Sequence, residues 1–150
     1  MKIKNLRVSI PVFVILSALI ALSRHLVSLY GGDGVLIRGL VSLRVSRNAG
    51  AAFGLLSNVP AVALILGMIA LAALTGYVLF GRLSAFGAGC LAAALAGGAA
   101  NVYERLACGC VTDWICLDFI RFPAFNLADV CVTLGLILFC VSCIFGKEGA

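Results

Sequence analysis

The chain has 150 residues, of which 63% are hydrophobic and 11% charged, with a formal net charge of +5 and a mean hydropathy of +1.19. That composition lies far outside the soluble average and excludes an ordinary soluble domain. The positive balance suits anionic lipid headgroups, and nothing beyond that number supports a nucleic-acid partner.

Lys2, Lys4 and Arg7 precede the first apolar run, about residues 8–30. A signal peptide starts similarly, and Ala18-Leu-Ile-Ala21 offers small residues at a cleavage-like spacing. The run is long and three more follow, so an uncleaved first span is expected. Spanning takes about 20 mostly apolar residues, and stretches at about 60–80, 86–104 and 126–145 also qualify. Four spans use most of the chain and predict one integral-membrane domain over 1–150. A bare count of cations on each side does not fix the orientation. The cluster before the first span usually weighs most, and it points to both termini on the cytoplasmic side. Arg24 and His25, in the last third of that span, can snorkel to the outer interface.

Residues 31–57 form the sizeable segment outside the spans. Asp33 stands between glycines and reads as a turn residue. Residues 35–45 are rich in β-branched side chains and partly alternate, which predicts short strands on the membrane surface. Asn48-Ala-Gly50 is turn chemistry, and 51–56 is a small amphipathic piece of one or two helical turns. Pro60 suits the first turn of the second span. Gly81-Arg82-Leu-Ser84 is a tight inner loop, so spans two and three are antiparallel neighbours. In span three, Gly89, Ala93 and Gly97 recur every fourth residue, a row that lets helices approach closely in lipid. The row continues into Asn101 and Arg105 at the outer edge; Arg105 there has the competing reading of an interfacial helix end.

The seven cysteines (90, 108, 110, 116, 131, 140, 143) are not read as a metal site, because His25 is the one histidine and Cys108-x-Cys110 is too tight for a zinc knuckle. Those within the spans behave as small hydrophobes. Cys108, Cys110 and Cys116 lie near the outer face, where an oxidising compartment would allow disulfides. No cofactor is implied.

Span four opens on Asp129 and is then uncharged to Phe145. A carboxylate in a span is disfavoured by roughly 2.5–3.5 kcal/mol and is by default functional, with a partner to be named. Asp113, in Val111-Thr-Asp-Trp114, is that partner if the short outer connection folds back, and Asn126 precedes Asp129 by three residues on the same helical face. Carboxylates that meet cannot both ionise at neutral pH, so one would hold a proton while the other activates water. The alternative is that both are interfacial acids balancing Arg105 and Arg121. Asp118, between Leu117 and Phe119, reads as a solvated charge.

Three blocks, Arg47-Asn-Ala-Gly-Ala-Ala-Phe-Gly54, Gly98-Ala-Ala-Asn-Val-Tyr-Glu-Arg-Leu106 running on to Val111-Thr-Asp-Trp114, and Phe122-Pro-Ala-Phe-Asn-Leu-Ala-Asp129, together resemble the lipoprotein signal peptidase family, signal peptidase II. The resemblance covers nearly the whole chain. It implies an all-α polytopic membrane protein with four transmembrane helices, a small extracytoplasmic β-cradle and a short surface helix. It implies a metal-independent aspartic endopeptidase of the bacterial cytoplasmic membrane, acting on its extracytoplasmic face. Such an enzyme cuts diacylglyceryl-modified prolipoproteins just before the lipidated cysteine, is expected to be monomeric, and contacts membrane lipids. Asp113 and Asp129 would be the catalytic pair. Asn48, Gly50, Ala51, Phe53, Asn101, Arg105 and Asn126 would bind substrate or support the pair; by position and polarity, Phe53 and the apolar 51–56 segment would cover the acyl chains or gate the site. Two departures stand out: Ile20-Ala-Leu-Ser-Arg24 keeps the family's cation but lacks its acid, and Glu104 replaces the usual Asp. They support the competing reading, a catalytically inactive membrane receptor for lipidated peptides. A presenilin-type protease would carry a Gly-x-Gly-Asp motif, which is absent, and a transporter would carry charge deeper in its spans.

Overall fold

A computed structural model describes residues 2–31, 34–50 and 58–145. Its helices are α1 (Lys2–Tyr30), α2 (Pro60–Phe80), α3 (Ala85–Cys108) and α4 (Leu127–Phe145), and its strands are β1 (Gly34–Ile37), β2 (Val41–Asn48) and β3 (Val111–Leu117). All four helices are long and apolar enough to cross a membrane. Large side chains such as Ile15, Leu22, Ile69 and Ile137 stand exposed on α1, α2 and α4, as hydrocarbon-facing surfaces must. The chain is a multi-pass membrane protein with a small sheet.

The helix α3 is the central post, with α1, α2 and α4 packed against it. Its buried positions are mostly small, among them Ala88, Ala92, Ala96 and Gly97. In lipid, where apolar burial gives no net drive, close backbone approach is what holds helices together. A Cβ on Gly97 would overlap the carbonyl oxygen of Ala128 and lie 3.0 Å from Val132 Cγ2. The small row read from the sequence drifts around the helix: Gly89 faces Val8 of α1, whereas Gly97 faces α4. Ile20, Ala96, Ala128 and Cys131 form the buried cluster where α1, α3 and α4 meet.

Ser84 caps α3 by accepting from the Gly87 N–H at 3.0 Å, and Gly109 ends it in the left-handed region at φ 75°. That conformation suits glycine and turns the chain back into β3. The antiparallel sheet has the order β1-β2-β3. Its first two strands match the strand-like stretch at 35–45, with β2 running on to Asn48. The third was not legible as a strand: the sequence suggested only a hairpin-like connection. Asp33, Ala51, Phe53 and the expected surface helix at 51–56 lie outside the described residues. All seven cysteines are free; Cys140 and Cys143, at a C-x-x-C spacing, are exposed on the membrane-spanning α4.

Candidate active site

Asp113 lies in the middle of β3, 3% exposed, and Asp129 in the first turn of α4. Backbone pairing brings them together. The segment before α4 lies along the free edge of β3: the Phe125 carbonyl accepts from the N–H groups of Trp114 at 3.0 Å and Ile115 at 2.8 Å, and Phe125 N–H donates to Ile115 O at 3.0 Å. Pro123 lacks a donor and is tolerated in such an edge position. Asn126 then caps α4. Its Oδ1 accepts from the Asp129 N–H at 3.1 Å, and its own N–H donates to Asp129 Oδ2 at 3.0 Å, a reciprocal capping arrangement.

Each of the four carboxylate oxygens accepts one N–H. Asn126 Nδ2 donates to Asp113 Oδ1 at 2.7 Å, and Asn48 Nδ2 to Asp113 Oδ2 at 3.2 Å. Asn101 Nδ2 donates to Asp129 Oδ1 at 2.7 Å, and the Asn126 N–H completes the set. The remaining lone pairs are free for water or a shared proton. Burial, then the neighbouring Asp129 charge, pushes the Asp113 carboxyl up to about 6, against the pull of its two asparagine donors. Desolvation and a like charge both disfavour the ionised form, so Asp113 is the member of the pair that retains a proton into the mildly acidic range.

Both aspartates open onto a cavity of about 390 Å³ whose other walls include Leu117, Phe122, Phe125 and Leu134. Phe122 and Phe125 meet edge to face with ring centroids 5.8 Å apart. A carboxylate pair at one end of an apolar-walled recess suits hydrolysis of a substrate with hydrocarbon attached. A larger cavity, about 680 Å³, is lined by Arg24, Arg47, Thr112 and Trp114 and holds neither aspartate.

The residues singled out from the sequence largely converge here. Arg105 Nη2 donates to the Gly50 carbonyl at 2.6 Å, and the Gly50 N–H donates to Asn48 Oδ1 at 2.9 Å. Asn101 and Asn126 are buried, and Asn126 bridges the two aspartates. Arg121 is exposed, and Asp118 pairs with Arg44 at 2.9 Å on the sheet, away from the carboxylate pair. Arg24 departs from its expected course. It does not snorkel outward but turns onto α3, bonding the Ala100 carbonyl and Asn101 Oδ1, each at 2.9 Å, and pairing with Glu104 at 3.0 Å. Thr112 was also missed; its N–H and hydroxyl both donate to Glu104 Oε1, at 3.0 and 2.6 Å. Its place beside Asp113 was the available signal.

The fold and site define a multi-pass membrane protein with a carboxylate pair, Asp113 buried and Asp129 half-buried, at the edge of its helix bundle. Residues 12–145 match the family model described as signal peptidase (SPase) II, and the chain belongs to that family. A lipoprotein signal peptidase of Lactobacillus johnsonii is 32% identical over 146 residues, 91% of this chain and 94% of that protein. Another, from Lactiplantibacillus plantarum, is 37% identical over 110 residues, 71% of this chain and 72% of the relative. A solved structure described as a bacterial membrane enzyme superposes with a TM-score of 0.83 at 25% identity, covering 95% of this chain and 92% of that one.

Proposed function

We propose that this protein is an aspartic endopeptidase that removes signal peptides from diacylglyceryl-modified prolipoproteins, cutting just before the lipidated cysteine. The observation that carries the reading is the Asp113–Asp129 pair, its four oxygens each held by one N–H donor, facing an apolar-walled cavity. Family membership supports the protease class. Asp129, ionised, takes a proton from a water held between the carboxyls while the water oxygen attacks the scissile carbonyl. Asp113, protonated, donates to the carbonyl oxygen as it becomes tetrahedral. Collapse returns a proton from that hydroxyl to Asp113, Asp129 protonates the leaving amine, and the C–N bond breaks. Both groups end as they began.

A lipidated substrate reaches the site sideways from the bilayer, which is why a recess bounded by Leu117, Phe122 and Leu134 suits it. Arg105 tethers Gly50 and so the loop carrying Asn48. Ala51 and Phe53 are assigned to covering the acyl chains on their position and polarity. The chain acts as a single domain over 1–150 and as a monomer. Both termini are cytoplasmic, and the aspartates face the extracytoplasmic side. Ile20 and Glu104, the support for an inactive receptor, leave all four donors to the pair in place.

The test incubates purified protein in lipid with a diacylglyceryl-modified prolipoprotein and with its unlipidated form, following product by mass. Wild type should cut only the lipidated form, immediately before the modified cysteine, and Asp113→Asn and Asp129→Asn should not cut although they insert and fold. Binding without cleavage by wild type, or retained cleavage in either variant, would refute the mechanism. Unchanged processing by Phe53→Ala would remove the covering role.

A further inference from the structure

Three asparagines supply three of the four donors to the carboxylate pair, and a side-chain amide does this only when held the right way round. Two are held by backbone. The Gly50 N–H donates to Asn48 Oδ1 at 2.9 Å, and the Asp129 N–H to Asn126 Oδ1 at 3.1 Å. Among the described residues, Asn101 Oδ1 has no such backbone donor. The guanidinium of Arg24 takes that place, with Nη2 at 2.9 Å. Asn126 Nδ2 also reaches it at 3.4 Å, the long arm of a donor already committed at 2.7 Å to Asp113.

We infer that Arg24 is a positioning residue for the aspartate pair: it fixes the Asn101 amide so that Nδ2 faces Asp129, and Glu104 holds Arg24 in place. This rests on the reading of Asp113 and Asp129 as the catalytic pair. Arg24 donates to the Ala100 carbonyl and to Asn101 Oδ1, each at 2.9 Å, and its charge pairs with Glu104 Oε2 at 3.0 Å. The other Glu104 oxygen binds Thr112, adjacent to Asp113. Contacts therefore run from Asp129 through Asn101, Arg24 and Glu104 to Thr112, behind the pair and out of the apolar cavity. Four residues before Arg24, Ile20 is 1% exposed against Ala96, Ala128 and Cys131. Packing anchors α1 here and leaves Arg24 free to serve Asn101. Without Arg24 the amide can rotate and turn Oδ1 toward Asp129, acceptor against acceptor.

The test uses the full chain in lipid bicelles: wild type, Arg24→Gln, Glu104→Gln, the double variant, and Arg44→Gln as a control for a surface ion pair. Cleavage of a diacylglyceryl-modified prolipoprotein gives kcat and KM. Hydrogen exchange of the Asn101 side-chain amide, in protein labelled at asparagine nitrogen, needs no turnover. In Arg24→Gln, kcat should fall roughly tenfold or more, as small displacements in an active site do, and the Asn101 amide should exchange faster. KM should stay within about twofold, and the double variant should be no worse than the worse single, since the two residues act as a unit. Arg44→Gln should match wild type in both readouts. Unchanged Asn101 exchange, losses confined to KM, or additive losses would overturn the inference. If wild type does not cleave, the proposed function fails, while the exchange comparison still decides whether Arg24 holds the amide. Should Arg24→Gln not fold, Glu104→Gln is read in its place: slower turnover with faster Asn101 exchange is expected, and wild-type values in both would overturn the inference.

Discussion

Gly97→Ala should uncouple the aspartate pair by pushing two helices apart. The added methyl would overlap the Ala128 carbonyl oxygen, and that carbonyl's carbon lies only 3.1 Å away. Backbone cannot swing aside as a side-chain tip can, so α3 and α4 must separate by on the order of 1 Å to restore ordinary contact distances of about 3.5–4.0 Å. Ala128 immediately precedes Asp129, and Asn101 lies about one turn beyond Gly97. The Asn101–Asp129 hydrogen bond of 2.7 Å would then open to about 3.7 Å, past the useful limit. Overpacking of this kind is worth about 1–3 kcal/mol of stability, partly offset by the roughly 1 kcal/mol that alanine gains over glycine in a helix. A misplacement of 1 Å can lower turnover by about 100-fold. Gly135→Ala is the matched comparison. Its Cβ would meet Cys90 O at 2.6 Å and Ala94 N at 2.8 Å, a similar overlap, but about 9 Å further along α4 by helical rise. Thermal unfolding in detergent should show comparable losses for the two variants, and the cleavage assay should show a much larger loss for Gly97→Ala. Equal activity losses, or a Gly97→Ala protein with wild-type turnover, would refute the argument that this contact sets the distance between the carboxylate and its donor.

With Asp113 raised to about 6 and required in its protonated form, kcat/KM should decline above about pH 6, approaching tenfold per unit; a profile flat or rising from pH 6 to 8 would exclude Asp113 as the acid. The folded-state value lies above the ordinary 3.8, so the native state binds the extra proton, and the contribution of this group to stability should rise as pH falls from about 6 towards 3.8. Asn126→Ala removes the 2.7 Å donor to Asp113 and the cap on the Asp129 N–H. It should lower stability by about 1 kcal/mol, as lost caps do. Because the Asn126 bond pulls the Asp113 value down, its loss should also move the descending limb of the pH profile to higher pH, a shift read directly from kcat/KM.

Hydropathy made the four helices legible, because length and apolar composition alone define a span. The meeting of Asp113 and Asp129 was legible for the opposite reason: charge at the edge of an apolar chain is costly and calls for a partner. The strand β3 was not. Its residues are buried or half-buried on both faces, so Val111–Leu117 lacks the alternation that marks a strand with one wet side. What makes it a strand is pairing with β2, remote in sequence. Arg24 was misread because a cation near the end of a span ordinarily reaches for water. Acceptors on a neighbouring helix, the Ala100 carbonyl, Asn101 and Glu104, turn it inward, and no local pattern in α1 carries that information. Asn126 was placed on the helix face of Asp129, whereas it is the cap, a difference of one residue that decides which of its groups point at the pair.

The attachment of the segment at Phe125 to β3 bears on how the protein is made. Asp129 belongs to α4, which leaves the ribosome after the other three spans, yet its partners are drawn from β3 and α3, with Arg24 of α1 behind them. The pair is therefore completed by the last helix to be made, and the docking of Phe125 on the edge of β3 is the step that brings the second carboxylate in.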